Sequence, residues 1–294
     1  LHMRLFPYEW TYAQRITFDG RPIQRPLGLA HPEMGIHPSD AYLFGEELLV
    51  WGGFGWQSHL LSDGRGVQAL DPELYQGKIK PTSAIGLFGI PGLTAFFGLF
   101  EIGKPKQGNT VVISSAAGTV GATAGQIAKL QGCTAIGLAG SDAKCAYLKE
   151  IGFDIAINYK TAGDLTAALK EAAPKGIDIY FDNVGGETLD AAILNMRKNG
   201  RIVVSGQISE YNTQTPRGIR HTLPFITQRL KMEGLVVYDF SVQFGEARQQ
   251  MAEWVNEGKL TYREEIIEGL EQTPQAFIGL FSGESFGRRL VHVN

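Results

Sequence analysis

The sequence predicts a doubly wound α/β domain of six parallel strands, in the order 3-2-1-4-5-6, joined to a smaller β-rich domain. Three observations point there. From residue 110 onward, short β-branched apolar runs alternate with helix-period segments. A glycine-rich turn stands between the first of these runs and the first helix. Before residue 82 and after residue 262 the pattern changes to short strands among prolines, glycines and aromatics.

Each element has its own reason. The apolar runs at 110–115, 134–139, 155–159, 177–183, 201–206 and 234–238 are short and mostly β-branched, as strands buried on both faces are. Helical patterns fill the intervals at 120–130, 143–151, 163–173 and 187–196. The earlier part of the chain offers short segments such as 47–51, read as irregular or small-barrel β structure. The last part offers strands at 264–267 and 289–293 around a helix at 274–282. These patterns divide the chain into an α/β domain at 85–261 and a β-rich domain built from 1–84 and 262–294.

Composition narrows the function. The chain has 294 residues, and its 27 basic and 30 acidic side chains leave a net charge of -3. With no Lys/Arg cluster, a nucleic-acid footprint is a poor account of it. Small-molecule chemistry is the better expectation. Apolar residues at 44% supply a sizeable core, and two cysteines, Cys133 and Cys145, are too few for a disulfide framework. A reducing cytoplasm fits that usage. The charge-free stretches 81–100 and 107–128 are interrupted by Pro, Gly, Ser and Thr, so no membrane span is expected. Arg4, Glu9 and Arg15 interrupt any signal-peptide pattern. Glycine is the outlier, at 37 residues against a usual share of roughly 7%. That excess calls for tight turns or close backbone approaches.

The strongest local signal is Ser115-Ala116-Ala117-Gly118-Thr119-Val120-Gly121, after the first α/β strand and opening a helix. It matches the dinucleotide fingerprint with alanine at the first of the three glycine positions. Small residues let the backbone approach a pyrophosphate, and a helix N-terminus offers N–H groups and a favourable dipole. The end of the second strand distinguishes the two nicotinamide dinucleotides. An acid there suits the ribose hydroxyl of NAD, whereas a 2'-phosphate needs small residues and a cation. Gly140-Ser141-Asp142-Ala143-Lys144 has no acid directly after Ala139, a hydroxyl at Ser141 and a cation at Lys144, which favours NADP(H). Asp142 remains available to a ribose, and Ser141 has the simpler role of a helix cap.

Three other patterns are set aside. Gly283-Glu284-Ser285-Phe286-Gly287 spells a hydrolase elbow, but no acid follows and no helix has room to form. Ser141 to Lys144 spells S-x-x-K without its partner motifs. His31, Glu33, His37 and Asp40 cluster beside prolines and have no second ligand group, so no metal site is expected.

Taken in order, several segments resemble one family: 86–95 (GLFGIPGLTA), the fingerprint with Gly125-Gln126-Ile127-Ala128, Gly140-Ser141 with Lys144-Cys145, 152–159 (GFDIAINY), 181–186 (FDNVGG) and 206–212 (GQISEYN). The chain is similar to the zinc-independent medium-chain dehydrogenase/reductases. Within them it resembles the NADPH-dependent alkenal/one reductases, the prostaglandin reductase (leukotriene B4 12-hydroxydehydrogenase) and curcumin reductase group. The likeness covers about residues 44–294. It implies that the β-rich domain is GroES-like and, in this chain, N-terminally incomplete or remodelled.

The resemblance also implies roles. Ala117, Gly118, Thr119 and Val120 would face the pyrophosphate, and Lys144 and Tyr159 the 2'-phosphate. Asn183 would contact the cofactor, and the Ser205, Gly206, Gln207 to Tyr211 loop would pass near the nicotinamide. Leu235, Val236 and Val237 would give backbone contacts on the sixth strand. Ser285 stands where the family usually has an Asn, which puts that contact in question. Tyr211 is the implied catalytic residue, its phenol near the carbonyl of an enone or alkenal substrate or near the nicotinamide ribose. The reaction implied is NADPH-dependent reduction of an activated C=C bond. A quinone reductase of the same superfamily and a catalytically silent NADPH-binding protein are the alternatives. The resemblance is compatible with a homodimer.

Overall fold

The computed structural model describes residues 12–16, 48–52, 56 and 67–293. Strands Tyr12–Ile16 (β1), Leu48–Gly52 (β2) and Val67–Ala69 (β3) pair antiparallel in that order. Thr110–Ile113 (β4), Thr134–Ala139 (β5), Ile155–Asn158 (β6), Ile177–Asp182 (β7), Met196–Val204 (β8) and Lys231–Gly234 (β9) form one parallel sheet. Its order is β6-β5-β4-β7-β8-β9, which counted from β4 is the expected 3-2-1-4-5-6. Glu264–Glu268 (β10) and Arg288–His292 (β11) make a separate parallel pair.

The helices fall mostly where apolar periodicity and caps put them. Ile90–Phe97 (α1) starts with a proline in its first turn, where the missing N–H costs nothing. Thr119–Leu130 (α2) follows β4, and Asp142–Glu150 (α3) follows β5 with Ser141 Oγ accepting from Lys144 N. Leu165–Ala172 (α4) is capped by the Asp164 carboxylate, which accepts from Thr166 N and Ala167 N. Gly186–Asn195 (α5), Leu223–Thr227 (α6), Phe244–Asn256 (α7) and Thr273–Phe281 (α8) complete the set. Among the described residues, no helix is long and apolar enough to cross a membrane.

The sheet is buried on both faces by a simple alternation. Val111, Ile113, Ile179 and Phe181 pack with Ala124, Ile127 and Ala128 of α2 on one side. Val112, Ile136, Leu138, Tyr180 and Ile202 pack with Leu169 of α4 and Leu189, Ala192 and Ile193 of α5 on the other. Burying each large side chain contributes about 1.5–3 kcal/mol. A third cluster joins Phe88, Leu93 and Phe97 to Met251 and Val255 of α7.

Two expectations need correction. The sixth strand lies at Lys231–Gly234 rather than 234–238, although Leu235, Val236 and Val237 have strand-like side chains. Leu235 N still donates to Val204 O at 3.0 Å, but β8 ends there and offers no further partner. The chain then tightens into a 3-10 turn at Val237–Gln243, and Val237 is buried against the α1/α7 cluster. The fifth strand begins earlier than 201, because Met196 is buried and pairs with Ile177.

Gly125 tests the helix-to-core approach. A Cβ there would lie 1.8 Å from Cζ of the buried Phe153 ring. Alanine usually stabilises a helix relative to glycine, yet Gly125→Ala is expected to destabilise by about 1–3 kcal/mol through overpacking. Thermal unfolding decides the sign, and an unchanged or higher midpoint would contradict this packing.

Candidate active site

The segments that leave the carboxyl ends of the six parallel strands gather most of the sequence-predicted residues on one rim. Ala117 to Val120 follow β4, Lys144 follows β5 and Tyr159 follows β6. Asn183 follows β7, Ser205 to Tyr211 follow β8, and Leu235 to Val237 follow β9. β4 has β5 on one side and β7 on the other. Chain segments therefore diverge at this point and leave a crevice, the usual ligand site of an open α/β sheet.

At the centre, Gly118 is the extended cap residue of α2, and Ser115 before it adopts a left-handed φ of 49°. The glycines here have different jobs. A Cβ on Gly121 would fall 2.5 Å from Ser115 O, so that glycine serves the fold itself. A Cβ on Gly118 would meet nothing nearer than Ser115 O at 3.4 Å. The fold does not need glycine at 118, and the space it leaves lies beside the first-turn N–H groups that an anion would use.

On the β5/β6 wing, a phenol and two lysines stand around the Gly140 turn. A Cβ on Gly140 would sit 3.2 Å from Tyr159 Oη and 3.3 Å from Lys160 Cε, so the phenol and this second lysine flank the turn. Lys144 Nζ donates to Gly283 O at 2.6 Å, a neutral partner. Burial, with like charge from Lys160 and Arg289, pushes the Lys144 ammonium below its ordinary value. Arg289 is itself engaged by Glu265 at 2.8 Å. Asp142, which would suit a ribose, is taken by Asn158 Nδ2 at 2.7 Å. Ser141 is the cap of α3, its Oγ accepting from Lys144 N at 3.3 Å. Lys160 was not singled out from the sequence, although its place next to Tyr159 was the available signal.

The 283–288 segment closes this wing. Gly287 N donates to Ala117 O at 2.9 Å, and Phe286 packs on Tyr147 and lies 4.0 Å under the Arg263 guanidinium. Ser285 lies in the irregular segment between Gly283 and Gly287 that leads into β11.

On the β7/β8 wing, side chains bond to one another. Asn183 donates from N to Ser114 Oγ at 2.8 Å and from Nδ2 to Ser114 O at 2.7 Å, while its Oδ1 accepts from Ser205 Oγ at 2.5 Å. The Tyr211 oxygen accepts from Gln207 N at 3.1 Å, and a Cβ on Gly206 would lie 3.2 Å from it. Tyr211 is half exposed, at 51%. Beneath them Asp182 is fully buried, its Oδ1 accepting from Ser114 Oγ, Tyr180 Oη, Val184 N and Gly185 N. Sequence reading treated Asp182 only as part of a motif. Its burial was the missing information.

Across the sheet, β5 and β8 are three spacings apart, roughly 14 Å at about 4.8 Å per neighbour. The site is therefore a long crevice with a cationic wing, a helix N-terminus at its middle and a neutral hydrogen-bonding wing. Fold and crevice together define a nicotinamide-dinucleotide oxidoreductase.

The family model described as "Zinc-binding dehydrogenase" matches residues 119–257. Prostaglandin reductase 1 of Mus musculus is 48% identical over 243 residues, covering 81% of this chain and 72% of that protein. The NADP(+)-dependent 2-alkenal reductase of Nicotiana tabacum is 42% identical over 247 residues, 84% of this chain and 71% of its own. The crystal structure of CurA from Vibrio vulnificus in complex with NADPH superposes with a TM-score of 0.75 at 39% identity, over 84% of this chain and 74% of that one. The chain belongs to the medium-chain dehydrogenase/reductase family, and its cofactor is NADP(H). Among the described residues, no three His, Cys, Asp or Glu side chains group closely enough to hold a metal ion. His31, Glu33, His37 and Asp40 lie outside the described residues.

Asp182 gives a pH test of this floor. Burial raises its carboxyl above the ordinary value of 3.8, against the opposing effect of its four hydrogen bonds. A raised folded value means that the contribution of the neutral acid is fully present below the unfolded value and is lost as pH rises through the folded one. Asp182→Asn keeps an acceptor oxygen and removes the charge. Its stability relative to wild type should therefore improve as pH rises from about 4 toward neutrality. Urea midpoints for both proteins across that range read the effect, and parallel pH profiles would refute the burial argument.

Proposed function

We propose that the protein uses NADPH to reduce the C=C bond of α,β-unsaturated ketones and aldehydes. The observation that carries this reading is the half-exposed Tyr211 phenol, tied through its oxygen to the Gln207 N–H beside Asn183 and Gly206. The names of two similar proteins, a prostaglandin reductase and an alkenal reductase, support the substrate class.

In this reading the α2 N-terminus and Ala117 to Val120 hold the pyrophosphate, and Lys144, Tyr159 and Lys160 hold the 2'-phosphate. Asn183, Ser205, Gly206, Gln207 and the chain at Leu235 to Val237 surround the nicotinamide end. Ser285 contributes from the segment that docks on Ala117. The cofactor-binding unit spans 85–261, flanked by the β-rich pieces 1–84 and 262–294.

The residues named above would hold NADPH, whose chemistry when bound would be hydride donation to the β-carbon of the substrate. Negative charge then develops on the substrate carbonyl oxygen, and a donor aimed at that oxygen stabilises it. Tyr211, whose phenol oxygen accepts from Gln207 N, takes this role. The α-carbon receives its proton from solvent. Asn183 and Ser205 fix the floor against which the reacting groups are held.

Tyr211→Phe should lower kcat for a simple enone more than tenfold, on the order of a lost transition-state donor, with NADPH affinity near wild type. Unchanged turnover would sink the assignment, and turnover of a quinone in preference to the enone would move the reading to a quinone reductase. Lys144→Ala should weaken NADPH far more than NADH in binding titrations. Equal loss for both would mean that Lys144 does not read the phosphate.

A further inference from the structure

The loop that carries Tyr211 is closed by a residue the chemistry does not use. We propose that Arg217 is a positioning residue, anchoring the 206–222 loop to α5 so that Tyr211 keeps its place at the crevice. The proposal rests on the reading of Tyr211 given above.

The loop is fixed at both ends. On its incoming side, Ile208 N donates to Asn183 O at 3.3 Å, and Ser209 donates from N and Oγ to Val184 O at 3.1 and 2.6 Å. On its outgoing side, Arg220 N donates to Asp190 Oδ1 at 3.0 Å. Between them the chain makes an excursion over 211–216 that begins with Tyr211 itself. The excursion is closed at its neck by Arg217 N, which donates to Glu210 Oε2 at 2.7 Å. Glu210 is the residue immediately before Tyr211.

Arg217 reaches back to the domain through its side chain. Its guanidinium meets Glu187 Oε1 at 2.5 Å and Asp190 Oδ2 at 3.7 Å, both on the first turns of α5. Asp190 is almost fully buried, so that contact is shielded from solvent far better than a surface pair. Gly186, at the start of α5, allows the loop to lie close. A Cβ there would come within 3.0 Å of Ser209 Oγ and 3.3 Å of Glu210 Oε1. The chain of contacts therefore runs from α5 through the Arg217 guanidinium and backbone to the Glu210 carboxylate, and from there to Tyr211.

Removing the guanidinium leaves the Arg217 N–H to Glu210 intact but unfastens the neck from the domain. A reacting group displaced by about 1 Å can lose on the order of a hundredfold in rate, and a loop that keeps its other anchors should lose less.

The experiment compares Arg217→Gln and Arg217→Lys, each alone and combined with Tyr211→Phe, in NADPH-dependent enone reduction, with amide hydrogen exchange of the same proteins. Arg217→Gln should lower kcat/KM for the enone by about tenfold and leave KM for NADPH within about twofold. Amide exchange across 208–217 should accelerate at least about fivefold, as for a segment released to local opening. Arg217→Lys, which keeps the charge, should recover part of both losses. In the Tyr211→Phe background, Arg217→Gln should add little, because its effect passes through the phenol. Equal losses in both backgrounds would overturn the link to Tyr211. Unchanged exchange across 208–217 would overturn the anchor. If Tyr211→Phe alone proves silent, the Tyr211 reading fails, and hydrogen exchange still judges the anchor by itself.

Discussion

β4 carries β5 on one flank and β7 on the other, so the segments leaving their ends cannot follow one another across the sheet. They turn apart, and the space between them is the site. What keeps this space from collapsing is a knot of short polar side chains at its floor. Ser114 directly follows β4 and Asp182 ends β7, and they share a hydrogen bond at 3.1 Å. Asn183 then bonds the same serine through both its backbone and its amide. The β7 turn is thus fixed to β4, and through Ser205 the β8 turn is fixed to Asn183. Each strand end is located by its neighbour, so no loop has to find its position alone.

The glycine excess separates into two kinds once this floor exists. Gly121 and Gly125 are required by backbone and ring contacts inside the protein, at 2.5 Å and 1.8 Å for the hypothetical Cβ atoms. Gly118 lacks any such requirement, and that lack is informative. Folding alone would tolerate alanine there. Sequence inspection treats all three as one motif; only packing separates the members the fold requires from the one it does not.

Much of the fold was legible because the sheet is buried on both faces. A doubly buried strand must be apolar throughout, and runs such as 111–113 and 177–182 announce themselves. Legibility failed where local preference and available partner disagreed. Leu235 to Val237 read as strand, but β8 had already ended and nothing remained to pair with. Helix α7 was missed although Ala247, Met251 and Val255 share one face, because its neighbours are polar and no strong cap marks its start. The site was legible as motifs. Lys160, Asp182 and Arg217 were not, since each gains its meaning from a partner far away in sequence: the Gly140 turn, Ser114 and α5.

The two wings of the crevice differ electrostatically, and the difference suits the division of labour. The β5/β6 wing holds the Lys144 ammonium against a neutral carbonyl, with the like charge of Lys160 acting on it. The charges there are partly exposed, so their contribution weakens as salt rises. The β7/β8 wing presents hydroxyl, amide and phenol groups, and the buried Asp182 carboxyl beneath them is driven toward the neutral form. Fixed dipoles of this kind favour a developing oxyanion without a full charge that would bind the substrate's ground state equally well. Their worth depends on staying in place. The Ser114 to Asn183 floor supplies that constraint below Tyr211, and the Arg217 anchor extends it to the loop above.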